Sequence, residues 1–514
     1  MSILQTEVSM VSTSADPWDR LTVAEQEAFD RLKGRLAKLW PELFPRDEEA
    51  YTSVVVPSVS ASPAELASHP EAHFFEEILL FFMIRLRNPR ARLVYVTSQP
   101  IPPAILDYYL LFLAGIPTSH ARARFTNVAV HDQSPRPLAE KLLERPRLIK
   151  KIRAAIPDPA RSYLTTYRST PLECRLALAL DIPLNGPEPG LDSVFTKSEG
   201  RRVFREAGLQ VPAGVEDLRS RDDLVWALAD VRRRRPGLQR ALLKLDTNFW
   251  DEGHAVYSYP TRESPRALRE SLTCVEVPAA PGCPERFLQR FEGVGGVVEE
   301  FVEDPSCATT SAQLRINPTR TVFLTSTHDE IRGGAQRTST LGCRFPACDA
   351  HRAVVQEAGM RVGRVLADRD VVGRISVELL VTPDDPGCPL GSEIRLGVGG
   401  STHPLLAVRF LSGGRLDPDT GVFYSPSGRA KYYRATDALA SPSYRGLSPE
   451  DLIEILAMGR LNYSPHTESG ALFYMLGAIS ELGRVGLVAI GNSREEAEEV
   501  YDRVVETLDS ESRS

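Results

Sequence analysis

The sequence has no apolar run long enough to cross a membrane. Its longest apolar cluster covers residues 78–84 and is flanked by charged residues on both sides, whereas a membrane-spanning helix needs about 20 apolar residues. Residues 1–17 are polar and lack the apolar centre of a signal peptide. We therefore expect a cytoplasmic protein without a membrane partner, and we expect residues 1–16 to be disordered.

Cysteine motifs are also sparse. The seven cysteines are odd in number and scattered, which is typical of a reducing compartment rather than a disulfide framework. Cys343, Cys348 and His351 are close enough in sequence to suggest a zinc site, but no fourth ligand accompanies them. Buried thiols that behave as small apolar side chains are the favoured interpretation.

The sequence also has no excess of basic residues. The formal net charge is −7, and the run Arg232–Arg235 is a local exception that is typical of a solvated helix face. This balance argues against a nucleic-acid partner. With 514 residues, of which 42% are hydrophobic, the chain is long enough for about three globular domains.

The first third of the chain alternates between strand and helix patterns. Buried strands are predicted near residues 52–57, 92–98, 125–130 and 162–166, with helices between them. A further helix over 21–43 begins with Thr22 and Glu25 in the spacing of a capping box. Strands that alternate with helices are typical of a parallel sheet, so residues 50–190 are predicted to form an α/β domain.

Two lysines and an acidic strand follow. Lys197 opens a capped helix, and Lys244 lies in an apolar strand, where a lysine is uncommon unless its ammonium group meets an anion. The loop 246–254 after that strand contains a single glycine, Gly253. The strand that carries Glu299 and Glu300 could form a hinge between two lobes.

The stretch Ile375–Pro404 predicts a hairpin with two glutamates. Apolar and polar residues alternate from Ile375 to Val381, and Glu378 points away from the apolar face. If the strands pair, Glu378 and Glu393 converge, and their oxygens suit a Mg²⁺ ion that also binds phosphate. From these residues alone, two glutamates on a solvated hairpin face remain the alternative.

These motifs, taken in this order, resemble the ATP-grasp ligases, and in particular the branch that contains the peptide ligase of pheganomycin biosynthesis. They are Lys197, Lys244, Glu-Glu-Phe-Val at 299–302, the two glutamate strands and Gly-Gly-Ser-Thr-His-Pro at 399–404. The similarity covers nearly the whole chain. Other phrases similar to that branch are Val54–Ser58, Arg87–Arg90, Tyr95–Pro100, His120–Arg124, Glu140–Pro146, Ser326–Asp329, Gly342–Ala347 and Tyr444–Leu452.

The resemblance implies a mixed α/β and α+β fold. It implies a parallel-sheet pre-ATP-grasp domain over 17–190, a two-lobed ATP-grasp core over 191–411, a small C-terminal α/β cap over 412–508 and a disordered tail over 509–514. It also implies a ligase that uses ATP and Mg²⁺ to join a small carboxylate to an amine or peptide through an acyl phosphate, with release of ADP. Specialised metabolite biosynthesis is the expected setting.

The resemblance also assigns roles to residues. Lys197 and Lys244 would contact phosphates, the segment Glu299, Glu300, Phe301 and Val302 would meet adenine through backbone groups, and Glu378 and Glu393 would hold Mg²⁺. From the residues themselves, His328, Asp329, Ser401, Thr402 and His466 are candidate substrate contacts. Arg395 and His403 are candidate catalytic residues, and His403 would shape the loop beside the acyl phosphate. A hydrolytic triad of Ser401, His403 and Asp329 is disfavoured because no nucleophile elbow surrounds Ser401.

Two departures from the family pattern bear on activity. The family has Asn and Arg two and four residues after the second glutamate, where this chain has Arg395 and Gly397. Because a guanidinium has no acceptor atom, Arg395 cannot bind Mg²⁺, and we expect it to supply the phosphate-binding charge instead. The loop 246–254 lacks the family's glycines and carries Asn248, Trp250, Asp251 and Glu252. A catalytically impaired binding or scaffold subunit therefore remains the alternative function.

Overall fold

The computed structural model describes residues 20–512 except 45–47, 62, 68, 114, 247–252, 262–263, 279–282, 305 and 335–338. The altered loop predicted around Trp250 lies outside the described residues, as does the N-terminal segment 1–16. Among the helices that the structure describes, none is long and apolar enough to cross a membrane.

A four-stranded parallel sheet forms the first part of the fold, with strand order β3-β2-β1-β4. The strands are β1 (Thr52–Val56), β2 (Arg92–Thr97), β3 (Phe125–Ala129) and β4 (Ser162–Thr166). The helices are α1 (Val23–Leu43), α2 (Pro63–Ala67), α3 (Pro103–Leu111), α4 (Thr118–Arg122), α5 (Leu138–Leu143), α6 (Pro146–Ala154) and α7 (Pro171–Leu180). The predicted parallel α/β arrangement is confirmed.

A second, antiparallel sheet follows, with strand order β5-β8-β6-β7. Its strands are β5 (Gly214–Leu218), β6 (Arg240–Leu245), β7 (His254–Ser258) and β8 (Gly296–Glu300). The associated helices are α8 (Lys197–Glu206), α9 (Arg221–Arg234), α10 (Pro265–Ser271) and α11 (Pro284–Val294).

The third sheet has ten strands and unites the rest of the chain, in the order β13-β12-β9-β10-β11-β16-β15-β14, with β18 between β16 and β17. The strands are β9 (Ala308–Ile316), β10 (Val322–Gly333), β11 (Ser339–Phe345), β12 (Gly373–Val381), β13 (Leu390–Leu396), β14 (Arg415–Leu416), β15 (Phe423–Tyr424), β16 (Ala430–Ala440), β17 (Gly470–Tyr474) and β18 (Arg484–Gly491). The helices are α12 (Arg352–Asp368), α13 (Thr402–Ser412), α14 (Pro449–Met458), α15 (Ile479–Leu482) and α16 (Arg494–Glu511).

Strand β12 separates an apolar core from a polar cavity. Ile375, Val377 and Leu379 are buried in a cluster that also contains residues of α8 and α12. Because side chains alternate across a strand, the residues between them face the other way. There Ser376 and Glu378 line a cavity of about 950 Å³.

The helices expected between β1 and β2 form, and residues 70–87 are a long 3₁₀ helix whose central residues are buried. Two predicted boundaries are corrected. Helix α16 continues to Glu511, beyond Leu508, where we expected the chain to become disordered. The segment expected to be a separate C-terminal cap contributes β16 and β18 to the same sheet as β9–β13, so no break in the sheet marks that boundary.

Candidate functional site

Helix α8 presents Lys197 at its first position. The helix begins there because the Thr196 hydroxyl accepts a hydrogen bond from the Glu199 N–H at 3.1 Å, a typical N-cap. Asp246, at the end of β6, holds the same turn by accepting the Ser198 N–H at 2.8 Å. The Lys197 ammonium group forms an ion pair with Glu393 inside the protein.

The predicted glutamate hairpin forms, and Glu378 lies directly opposite Glu393 in the β12–β13 register. Both carboxylates are buried, with 5% and 6% of each residue exposed. Arg395 extends its guanidinium between them, with Nε 2.9 Å from Glu378 Oε1 and 3.2 Å from Glu393 Oε1. The solvated-hairpin alternative is therefore wrong, because the two carboxylates converge at a buried site.

Surrounding cations keep this site charged. Burial alone would raise the pKa of Glu378, but Arg395, Arg332 and Lys197 more than offset burial and hold that pKa below its ordinary value. Burial lowers the pKa of Lys197 well below its usual range, and the nearby Arg395 and Lys244 lower it further. Burial, together with Lys244 and Lys197, lowers the pKa of His254. An anion entering the site would relieve this crowding of positive charge.

Lys244 is tied to the predicted hinge. Its ammonium group forms an ion pair with Glu299, and it donates to the Ser392 carbonyl oxygen at 3.3 Å. Arg201 Nη1 lies 2.8 Å from the other oxygen of Glu299. The Glu299 carboxylate is thus buried between two cations.

The rest of the hinge segment has other contacts. The Glu300 carboxylate accepts the Ala213 N–H at 2.8 Å, and the Arg240 guanidinium lies 4.4 Å from the centre of the Phe301 ring. Val302 belongs to the irregular segment that connects β8 of the second sheet with β9 of the third. This segment joins the two lobes, as the hinge prediction requires.

The cavity collects residues from all three parts of the fold. Lys197, Asp246, Glu378, Glu393 and Arg395 line it, and so do Ser401 and His328. Thr402, beside Ser401, is buried and accepts the Gly399 N–H at 3.2 Å. Burial lowers the pKa of His328 to about 3, so this ring is neutral, and it is hydrogen-bonded to the Tyr433 hydroxyl.

Lys244, Thr402 and residues 299–302 are not part of the cavity lining, and neither are three further predicted residues. His403 is 1% exposed on α13, its ring centre 5.7 Å from that of Tyr474, and burial lowers its pKa to about 3. Asp329 is bonded to His351 Nε2 at 2.7 Å and to the Cys348 N–H at 2.8 Å. His466 is exposed in the segment between α14 and β17.

The two disfavoured alternatives gain no geometric support. In the described part of the chain, His403 Nδ1 has no hydrogen-bond partner, so no Ser401–His403–Asp329 relay is formed. Within the same part, no group of three or more histidine, cysteine, aspartate or glutamate residues is arranged to hold a metal ion. A Mg²⁺ ion on Glu378 and Glu393 would therefore take its remaining ligands from phosphate oxygens and water.

Sequence reasoning missed several residues in or beside the cavity. Arg332 lies beside it, 3.8 Å from Glu378 Oε2, and pairs with Glu330 at 2.5 Å. Arg315 and Arg374 line the cavity and face each other across β9 and β12. The alternating pattern of β12 places Arg374 on the same face as Glu378, and this was the signal that could have identified it.

The comparisons with known proteins agree with this architecture. A family model described as IQCH-like, ATP-grasp, matches residues 191–273 and 261–387, and a model of the PGM1 C-terminal domain matches residues 451–504. An L-propargylglycine–L-glutamate ligase of Streptantibioticus cattleyicolor is 28% identical over 478 residues, which are 91% of this chain and 96% of that protein.

Solved structures of low sequence identity share the fold. The biotin carboxylase domain of the Hydrogenobacter thermophilus 2-oxoglutarate carboxylase aligns with a TM-score of 0.53 at 12% identity, over 89% of each chain. A biotin carboxylase from Campylobacter jejuni aligns with a TM-score of 0.52 at 13% identity, over 91% of this chain and 96% of that one. The chain thus has the ATP-grasp fold and, as its motifs indicated, resembles the pheganomycin-type ATP-grasp peptide ligases.

Proposed function

We propose that the protein is an ATP-dependent, ADP-forming carboxylate–amine ligase. In the first step a carboxylate oxygen attacks the γ-phosphorus of ATP, the bond to ADP breaks, and an acyl phosphate forms. In the second step an amine attacks the acyl carbon, inorganic phosphate leaves with the bonding pair, and the amine loses a proton as the amide forms. The observation that carries the proposal is the pair Glu378 and Glu393, which faces Lys197 inside the cavity.

The donor set fits Mg²⁺. Two buried carboxylates opposite each other supply hard oxygen ligands, and an octahedral ion on one or two carboxylates usually completes its shell with phosphate oxygens and water. When bound, Mg²⁺ would neutralise part of the charge on the phosphates. We propose that Glu378 and Glu393 hold it and that the Arg395 side chain, which is 43% exposed, turns away from them to make room.

The lysines and the hinge form the proposed nucleotide site. Lys197 and Lys244 would contact the phosphates, where positioned cations supply most of the stabilisation that phosphoryl transfer needs. Residues 299–302 would meet the adenine through backbone groups. Because Glu299 pairs with Lys244, the hinge and one phosphate contact are mechanically linked.

The remaining site residues are proposed with different roles. Arg395 would contact the phosphoryl group during transfer, and Ser401, Thr402 and His328 would border the substrate. His403, buried on α13, would act only by positioning the loop at 399–402. Asp329 is bonded to His351 away from the cavity lining and His466 is exposed, so we include neither.

The substrates and setting are proposed at the level of chemical class. Similarity to a ligase named for two amino acids, propargylglycine and glutamate, supports amino acids or short peptides as the carboxylate donor and the amine acceptor. We place the enzyme in the cytoplasm and in specialised metabolism, without a nucleic-acid or membrane partner. We also retain the proposed domain limits 17–190 and 191–411, and we extend the proposed C-terminal domain, 412–508, to Glu511, where α16 ends.

One observation favours a second candidate function, a catalytically impaired nucleotide-binding or scaffold subunit. The Arg395 guanidinium occupies the space between the two carboxylates that would hold the metal. If Arg395 does not move, these carboxylates are already neutralised and the metal is excluded.

Hydroxylamine trapping decides between the two. The protein is incubated with ATP, Mg²⁺, hydroxylamine and a panel of amino acids, and hydroxamate and ADP are measured together. The ligase proposal expects hydroxamate that depends on ATP, Mg²⁺ and one amino acid, with ADP formed in equal amount. Nucleotide binding without hydroxamate or ADP from any amino acid of the panel would favour the scaffold.

A further inference from the structure

A second charged region lies in the same cavity, along the polar face of β12. Arg374, Ser376 and Glu378 alternate on that face, and their register partners on β9 are Arg315, Gln313 and Ser311. The Gln313 amide donates to the Ser376 hydroxyl at 2.7 Å, which fixes the middle row. The face therefore has the Glu378 carboxylate at one end and the Arg374–Arg315 pair at the other.

The arginines of this region have neutral partners. Arg315 donates to the Asn185 amide oxygen, and its guanidinium lies 5.1 Å from the centre of the Trp40 ring. Arg85, which also lines the cavity, donates to the hydroxyls of Ser53 and Thr165. None of these contacts supplies a negative charge.

Among the described residues, the Arg374 side chain has no partner of its own. Within the described residues, its guanidinium makes no hydrogen bond and no ion pair, although it lines the cavity. Burial lowers its pKa to about 9, helped by Arg315, Arg409 and Arg85. Burial lowers the pKa of Arg315 to about 10, with a contribution from Arg85. Holding like charges together out of water costs free energy, and an anion bound among the arginines would offset that cost.

The arginine pair lies too far from the lysines for the triphosphate of ATP to be its simplest ligand. Lys197 and Lys244 meet the hairpin at Glu393 and Ser392, whereas Arg374 lies four residues along β12 from Glu378, roughly 13 Å at the usual rise per residue. A small molecule can span that interval, with one end at the carboxylate pair and the other at the arginines.

We propose that the cavity binds a carboxylate donor that carries a second carboxylate, held by Arg374 and Arg315. A planar guanidinium presents paired donors that match a carboxylate, which suits this role better than a lysine would. The inference rests on the proposed function, because it places the reacting carboxylate beside Glu378 and Glu393. It names the substrate class as dicarboxylic acids, dicarboxylic amino acids included.

The test uses pairs of probes that differ in one charge. Succinate, glutarate, adipate, L-aspartate and L-glutamate are each compared with the corresponding mono-amide, and binding is measured by calorimetry with Mg²⁺ and a non-hydrolysable ATP analogue present. Variants Arg374→Gln and Arg374→Lys are compared with the parent. Arg266→Gln is the matched control, because the Arg266 side chain is 89% exposed.

The expected result is that at least one dicarboxylate binds the parent more tightly than its mono-amide. Arg374→Gln should weaken that dicarboxylate by about 10- to 100-fold, the usual effect of a hydrogen bond to a charged group, and should leave its mono-amide unchanged. Arg374→Lys should recover part of the loss, and Arg266→Gln should behave as the parent. The melting temperature of ligand-free Arg374→Gln should equal or exceed that of the parent, whereas a merely structural arginine would lower it.

Two results would overturn the inference. One is that no dicarboxylate binds better than its mono-amide, and the other is that Arg374→Gln binds the preferred dicarboxylate as the parent does. Binding of the ATP analogue is recorded in the same samples. If the parent binds the ATP analogue but does not distinguish a dicarboxylate from its mono-amide, only this inference is wrong. If the parent does not bind the analogue at all, the proposed function is wrong.

Discussion

Replacing Arg395 should strengthen Mg²⁺ binding. The Arg395 guanidinium forms ion pairs with both carboxylates that are proposed to hold Mg²⁺, with Nε 2.9 Å from Glu378 Oε1 and 3.2 Å from Glu393 Oε1, and its Nη2 donates a hydrogen bond to Glu393 Oε2 at 3.3 Å. The contacts to both carboxylates must break before an ion can sit between them. Hydrogen bonds to charged groups contribute about 1.5–3 kcal/mol each. Because 43% of the side chain is exposed, solvent screening reduces this to about 0.5–1 kcal/mol each.

The total cost of moving Arg395 is therefore about 1–2 kcal/mol, which corresponds to about a 5- to 30-fold change in metal affinity. Arg395→Met removes the competing charge without adding a ligand, and Arg395→Asn also adds a carboxamide oxygen. We expect Mg²⁺ affinity, measured by titration in the presence of an ATP analogue, to increase in Arg395→Met and to increase further in Arg395→Asn.

Turnover should fall in both variants, because the charge beside the transferring phosphoryl group is lost. Unchanged or weaker Mg²⁺ binding in Arg395→Met would refute the competition between arginine and metal. Arg395→Asn with higher turnover than the parent would show that Arg395 has no part in phosphoryl transfer.

Three further substitutions test other parts of the account. Burial raises the pKa of Glu76 to about 7 in the folded protein. Because the folded state then holds this proton more tightly than the unfolded state does, the protein becomes less stable as pH rises from the unfolded pKa to the folded one. Between pH 4.5 and 7, Glu76→Gln should therefore gain up to about 3 kcal/mol in free energy of unfolding relative to the parent, measured by urea unfolding. Lys244→Ala removes one of the two cations that hold buried Glu299. We expect its free energy of unfolding in the same assay to fall by about 3 kcal/mol and nucleotide binding to be lost. A variant that binds ATP normally would exclude Lys244 from the site. A Cβ at Gly391 would lie 2.2 Å from the Phe204 ring, so Gly391→Ala should lower stability by about 1–3 kcal/mol, and an unchanged melting temperature would contradict that packing.

Local patterns predicted the hairpin and the starts of the helices well. The alternation around Glu378 is a property of a few neighbouring residues, and the capping box at Thr22 is a local signal that the structure confirms. These features depend on sequence neighbours alone, so a single sequence is enough to identify them.

Features that depend on distant pairing were not predictable in this way. Arg315 and Arg374 meet only because β9 and β12 pair in one particular register, and nothing within either strand specifies the other. The ion pair between Arg395 and the two glutamates depends on side-chain direction as well as on pairing. The union of β16 and β18 with β11 likewise follows from tertiary packing rather than from local propensity.

Transfer of ¹⁸O from the carboxylate donor tests the central claim most directly. The donor found by hydroxylamine trapping is labelled with ¹⁸O in its carboxylate and is incubated with the enzyme, ATP, Mg²⁺ and an amine. If an acyl phosphate forms, one labelled oxygen of each turned-over carboxylate should appear in inorganic phosphate, with ADP as the nucleotide product. Label in AMP, or amide formation with unlabelled phosphate, would contradict the mechanism.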